Sequence, residues 1–186
     1  MATATAVRYT PEDLLEITDR LMPELVDGEL LEREPMGQRA DEVGSRIIYY
    51  LTGYSLTLLS GVVNGAHGSI QVFPDDPNKV RIPDVAFTRR DRMPGGEAFE
   101  GHSRVVPDLA VEVVSPNDKL GEFEAKMKDY QSAAIPLIWV VNPELRTVRV
   151  YTPTGAGPLL HDGDTLRGGD ILPGFECPVS AIFADS

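Results

Sequence analysis

A chain of 186 residues has room for one domain with a single substantial core, so residues 1–186 read as one unit. Hydrophobic residues at 42% and charged residues at 25% exclude a disordered chain, and the lone Cys177 excludes an internal disulfide or a cysteine zinc cluster. A formal net charge of −12 argues against avid nonspecific binding to a polyanion, although Arg81, Arg89, Arg90, Arg92 and Arg104 lie close enough in sequence to form a local basic strip.

Along the chain, residues 1–10 lack the cationic segment and apolar run of a signal peptide. No apolar stretch approaches the roughly 18 residues that span a bilayer. The expected location is therefore cytoplasmic, with no membrane partner. Thr10 followed by Pro11, Glu12 and Asp13 is a helix start, and the short helix is expected to run to about Asp19. Residues 24–33 suggest extended chain with a tight turn or bulge at Gly28. From 41 to 59, Val43, Ile47, Ile48, Leu51, Tyr54, Leu58 and Leu59 recur at helical spacing until Gly61 closes the run.

Short Val- and Ile-rich runs follow at 62–66, 69–73, 80–87 and 109–114. The turn chemistry of Pro74-Asp75-Asp76-Pro77-Asn78 joins the second and third of these as an expected hairpin. Residues 89–107 are rich in Gly, Pro and charge without periodicity, the composition of a functional loop or lid. After Ser115-Pro116-Asn117-Asp118 a second helix is predicted over 119–134. A buried strand follows at 137–141, and a further strand at 147–151. The remainder reads as edge strands covering the sheet. The order is α/β on a mixed sheet.

Glu112 stands in Leu109-Ala110-Val111-Glu112-Val113-Val114, a run apolar on both alternating faces, as in a central strand covered on both sides. A carboxylate there must be protonated, paired with a cation, or coordinated to a metal. Asp84, in Ile82-Pro83-Asp84-Val85-Ala86-Phe87, enters a neighbouring strand just after a proline that lacks a ladder donor. Alone, such an aspartate is more often a turn residue. Two carboxylates on adjacent strands, however, make a hard oxygen site suited to Mg2+ or Mn2+.

On the second helix Leu120, Phe123, Met127, Tyr130 and Ala134 define an apolar stripe. Lys126 lies roughly 70° and Lys128 roughly 130° from its centre at about 100° per residue. Lys126 is expected to border the core and reach Glu112, and Lys128 to face water.

His67, His102 and His161 show no metal-ligand spacing, and Ser115 reads as the break and cap before the second helix. The glycines of 62–68 and 166–169 form no phosphate loop.

The segments Pro83-Asp84-Val85-Ala86-Phe87, Pro107 through Pro116 around Glu112, Lys126-Met127-Lys128-Asp129-Tyr130 and Ile135 through Pro143 around Trp139 resemble the Uma-two family. These are restriction-endonuclease-like proteins of the PD-(D/E)XK superfamily. The resemblance extends from Tyr9-Thr10-Pro11-Glu12-Asp13-Leu14 to Ile182-Phe183. It implies a core of helix, β-meander, helix and strand around a mixed central sheet, with extra N- and C-terminal strands.

It further implies that Asp84 and Glu112 are metal ligands and that a lysine positions or activates water. The superfamily's lysine usually stands two residues after the glutamate, which is Val114 here. The family-like spacing Lys-x-x-x-Tyr instead selects Lys126, the residue the helical wheel also chose. The chain departs from the family again at Gly37-Gln38-Arg39-Ala40-Asp41-Glu42, where a histidine is usual, and at Asn142, where an aspartate is usual. Glu42 is a further candidate acid near the metal, and the Val113 carbonyl a further candidate ligand.

The expected activity is phosphodiester hydrolysis with Asp84, Glu112 and Lys126 as catalytic residues and Mg2+ or Mn2+ as cofactor. The expected partners are nucleic acid, DNA first, and a second copy of the chain in a homodimer. Two other functions fit the acidic composition: a catalytically silent interaction or oligomerisation module, and a metal-dependent hydrolase of small phosphate esters.

Overall fold

The computed structural model describes residues 8–17, 22–58 and 60–183. Helix α1 (Pro11–Glu16) opens with a reciprocal capping box: Thr10 Oγ1 accepts from the Asp13 amide and the Asp13 carboxylate accepts from the Thr10 amide. The helix ends at Glu16, and Asp19, its expected end, lies outside the described residues. Strands β1 (Glu24–Val26) and β2 (Glu29–Leu31) form a hairpin. Asp27 (φ 52°) and Gly28 (φ 78°) fill the two left-handed turn positions that such a hairpin requires. Gly28 therefore marks a turn, not a bulge.

The long helix α2 (Gln38–Leu58) leads into a six-stranded sheet of order β3 (Gly61–Asn64), β4 (Val85–Arg89), β5 (Leu109–Val113), β6 (Ile138–Asn142), β7 (Thr147–Thr152) and β8 (Gly155–Leu160). All neighbours are antiparallel except β5 and β6. That parallel pair needs a crossover, and α3 (Leu120–Ser132) supplies it.

The alternation along β5 sorts its two faces. Leu109, Val111 and Val113 join Val43, Ile47 and Leu51 of α2, together with Trp139, in the main core. Ala110 joins Met127 and Tyr130 of α3 in a second core on the other face. A separate hairpin, β9 (Thr165–Gly168) with β10 (Leu172–Pro178), then α4 (Val179–Ile182), closes the main core with Leu166, Leu172, Phe175 and Ile182.

Three local expectations are corrected. Residues 69–73 do not pair with 80–87 as a hairpin. Ile70 makes one bridge to Arg81, and the ladder cannot extend from it: on one side Pro83 has no N–H and the Gly68 amide is taken by Gly65, on the other the Lys79 amide is taken by Asp76. The segment 89–107, expected as a functional loop or lid, is anchored to the body of the protein at several points. Met93 and His102 are buried, His102 Nδ1 meets Ser69 Oγ at 2.7 Å, and Arg92 Nη1 reaches Asp108 at 2.7 Å. On α3, Leu120 is exposed, and the buried stripe is Met127 and Tyr130, continued by Ala133 at the C-cap and flanked by the partly buried Phe123.

Gly61 shows how tightly β3 is packed: a Cβ there would lie 2.4 Å from the Phe87 ring and 2.6 Å from the Thr88 carbonyl. Phe87 is fully buried and cannot yield. Gly61→Ala is expected to destabilise by about 1–3 kcal/mol, the usual cost of overpacking. Urea unfolding would measure it, and an unchanged midpoint would contradict the packing described here.

Candidate active site

Asp84 and Glu112 come together through the register of β4 and β5. Val85 pairs with Val111 and Ala86 with Ala110, so one step further Asp84 stands across from Glu112 on the same sheet face. That face is covered by α3. Pro83 has no N–H to continue the ladder, and the Asp84 side chain ends it instead, its Oδ2 accepting from the Val113 amide at 2.8 Å. Arg33, in the segment between β2 and α2, donates through Nη2 to Asp84 Oδ1 at 3.0 Å.

Glu112 is reached from α3. Tyr130 donates its hydroxyl to Oε1 at 2.6 Å and Lys126 Nζ donates to Oε2 at 2.9 Å. Lys126 also donates to the Ile82 carbonyl at 2.9 Å and lies 3.1 Å from Glu24 Oε1. Its side chain is only 13% exposed, whereas Lys128 faces solvent.

Behind Lys126 runs a buried ionic chain. Glu24 accepts from the Ile82 amide at 2.8 Å and from Arg81 Nη1 at 2.7 Å. Arg81 then grips Asp129 through Nε at 2.8 Å and Nη2 at 2.6 Å, and Lys79 adds a second cation to Asp129 at 2.6 Å.

Burial dominates the electrostatics. The Glu112 carboxyl is pushed from 4.5 up to about 7, first by desolvation and then by Asp84, and these outweigh the attraction of Lys126. Asp84 is raised too, again chiefly by desolvation. Lys126 keeps its proton more tightly than usual, because Glu112, Glu24 and Asp84 together overcome its own desolvation. Glu24 ends below its ordinary value, since Lys126 and Arg81 outweigh its burial.

These groups line one cleft of about 310 Å³, which runs from the 31–36 segment to the start of α3. Eight carboxylates line it against four Lys and Arg side chains. No group of three or more His, Cys, Asp or Glu side chains forms a metal cage among the described residues. The donor set nonetheless suits Mg2+ or Mn2+, which bind through one or two carboxylates and retain waters. Two raised, desolvated acids facing each other in an acidic cleft are groups a divalent cation would relieve.

Several residues fall differently from the sequence expectation. Glu42 pairs with Arg46 at 2.7 Å and does not line the cleft, whereas its neighbour Asp41 does. Val113 lines the cleft and holds Asp84 through its amide. Ser115 does not cap α3: its amide donates to Asp118 at 2.7 Å, and Lys119 is the N-cap. Of the five arginines of the expected basic strip, Arg81 is withdrawn into buried ion pairs, while Arg92 holds Asp108, Arg89 pairs with Asp91 and Arg90 donates to the Gly96 carbonyl. Glu24, Arg33, Arg81 and Tyr130 were not singled out for the site from sequence. A signal existed for Arg81, a cation between Val80 and Ile82 in the same kind of apolar run that marked Glu112.

The mixed sheet between α2 and α3, with one acid at the entry to β4 and one on β5, defines a restriction-endonuclease-like fold. The crystal structure of "a putative nuclease belonging to DUF820" from Anabaena variabilis superposes with a TM-score of 0.74 over 94% of this chain and 97% of that one, at 13% identity. The chain belongs to the Uma2 family, described as "Putative restriction endonuclease", which it matches over residues 11–180. No functionally curated protein matches it. No helix among the described residues is long and apolar enough to cross a membrane.

Proposed function

We propose that the chain is a metal-dependent nuclease that hydrolyses phosphodiester bonds of nucleic acid, DNA first. The observation that carries this is a pair of buried carboxylates facing each other, Asp84 at the entry to β4 and Glu112 on β5, with the partly buried Lys126 bonded to the second. Mg2+ or Mn2+ held by Asp84 and Glu112, with the Val113 carbonyl as a further candidate ligand, would polarise the scissile phosphate and acidify a bound water.

The protein's own groups are preorganised for this. The Val113 amide fixes the Asp84 carboxylate, and the Tyr130 hydroxyl and Lys126 fix that of Glu112. Lys126, with its raised pKa, serves as a fixed charge and donor at Nζ, orienting water or the phosphate, and not as a base. Glu24 and the Ile82 carbonyl set the direction of that ammonium.

A second reading, an inactive interaction module, is favoured by one observation: all four oxygens of Asp84 and Glu112 already have protein donors. Cleavage of plasmid DNA with Mn2+ separates the two. Lys126→Gln is expected to lower the rate by about 10²–10³, the usual loss when one preorganised donor is removed. Lys128→Gln should leave it unchanged. Equal effects of the two substitutions, or no cleavage by the unaltered protein on DNA, RNA or small phosphodiesters, would favour the inactive module.

A further inference from the structure

Arg33 differs from the other cations of the cleft. Arg81 is buried and spends Nε and both terminal nitrogens on Glu24 and Asp129. Lys126 is directed at Glu112, Glu24 and the Ile82 carbonyl. Lys119 is 66% exposed and pairs with Glu122. Arg33 makes two contacts, Nη1 to the Ala66 carbonyl at 2.9 Å and Nη2 to Asp84 Oδ1 at 3.0 Å. A guanidinium carries five N–H donors, so three remain without a partner among the described residues.

The position of Arg33 sets up a competition. Asp84 Oδ2 is taken by the sheet through the Val113 amide, leaving Oδ1 as the more accessible oxygen, and Arg33 sits on it. A divalent cation at Oδ1 would meet a positive charge already in contact with that oxygen, and like charges at such range repel strongly. Of the pair, Arg33 is the outer member, with 21% of its side chain exposed against 8% for Asp84. Release therefore carries the guanidinium outward into the cleft, where its fork matches a phosphate in two-point geometry.

We propose that Arg33 is the phosphate-binding residue of the cleft, exchanging its salt bridge to Asp84 for a substrate phosphate when a divalent cation takes Asp84 Oδ1. The inference rests on the nuclease reading and names the group that would hold its anionic substrate. In a cleft with twice as many carboxylates as cations, this exchange also couples substrate affinity to the metal. Without the cation, Arg33 remains neutralised by Asp84 and the cleft repels phosphate.

Titration calorimetry with Mn2+ alone, and then with inorganic phosphate at saturating Mg2+, tests this on the full chain. Arg33→Gln is expected to bind Mn2+ about tenfold more tightly, since a neighbouring charge shifts a carboxylate by about one unit or more. The same variant is expected to lose about tenfold in phosphate affinity. Arg33→Lys, which keeps the charge without the fork, should bind Mn2+ like the unaltered protein and phosphate less tightly. Unchanged or weaker Mn2+ binding by Arg33→Gln, or phosphate affinity equal to that of the unaltered protein, overturns the proposal. Glu112→Gln makes the two failures distinguishable. If it abolishes Mn2+ binding while Arg33→Gln changes nothing, the proposal alone fails; if the unaltered protein binds no Mn2+, the nuclease reading fails with it.

Discussion

Glu112→Gln is expected to abolish Mn2+-dependent cleavage while leaving the protein folded, and to change the pH dependence of its stability in a defined direction. The folded-state pKa of Glu112, about 7, lies above its ordinary value of 4.5, so the folded protein binds this proton more tightly than the unfolded chain. The stability linked to it is fully present below pH 4.5 and is lost as pH rises to about 7. At about 1.4 kcal/mol per unit, the loss from this group is about 3 kcal/mol.

Asp84, also raised, acts in the same direction from its ordinary 3.8 upward, whereas Glu24, lowered, contributes stability above 4.5 that is lost as pH falls. Glutamine cannot ionise. The variant should therefore gain stability relative to the unaltered protein between pH 5 and pH 8, read by thermal unfolding at both values. Unchanged cleavage by the variant would remove Glu112 from the reaction. A difference in stability that does not vary with pH would show that its carboxyl is not raised.

The largest stability effect is expected at Arg81→Leu. Arg81 is 3% exposed and neutralises Glu24 and Asp129 through three nitrogens. Removing it leaves Glu24 buried, with only Lys126 and the Ile82 amide against its charge among the described residues. Breaking a buried pair from one side costs about 3–5 kcal/mol. For a domain of this size that corresponds to a fall in Tm of roughly 10 °C. Arg89→Leu provides the contrast, because its pair with Asp91 is exposed on both sides and should leave Tm unchanged. Similar shifts for the two variants would mean that the ionic chain behind Lys126 is not a structural support.

The difference between these arginines also marks where sequence reading stopped. Five arginines close in sequence suggested one strip, but Arg81 is set apart from the others by contacts far along the chain. Arg81 is buried because Leu25 bridges Val80 and because Glu24 reaches across to it. Nothing within ten residues of Arg81 signals either contact. The expected hairpin at 69–87 stops at a single bridge for a local reason, since the amides of Gly68 and Lys79 are committed to turns and Pro83 has none.

What was legible depended on periodicity within single elements. The run 109–114, apolar on both faces, placed Glu112 at the centre of the sheet, and β5 is buried throughout. The helical wheel separated Lys126 from Lys128, and their environments differ as that geometry requires. Tyr130 was visible only as a member of the apolar stripe. Its hydroxyl finds Glu112 because α3 crosses the same face of β5, a relation no single element contains. Arg33 was invisible for the same reason, lying in a loop whose only local signal is charge.

Asp84 and Glu112 are expected to share a divalent cation. Crystals grown with Mn2+ and measured for anomalous scattering test it most directly. A manganese peak bonded to both carboxylates is expected, at about 2–2.3 Å from its oxygen ligands. A well-ordered cleft with no peak between them, Arg33 still seated on Asp84 and manganese bound elsewhere or nowhere, would contradict it.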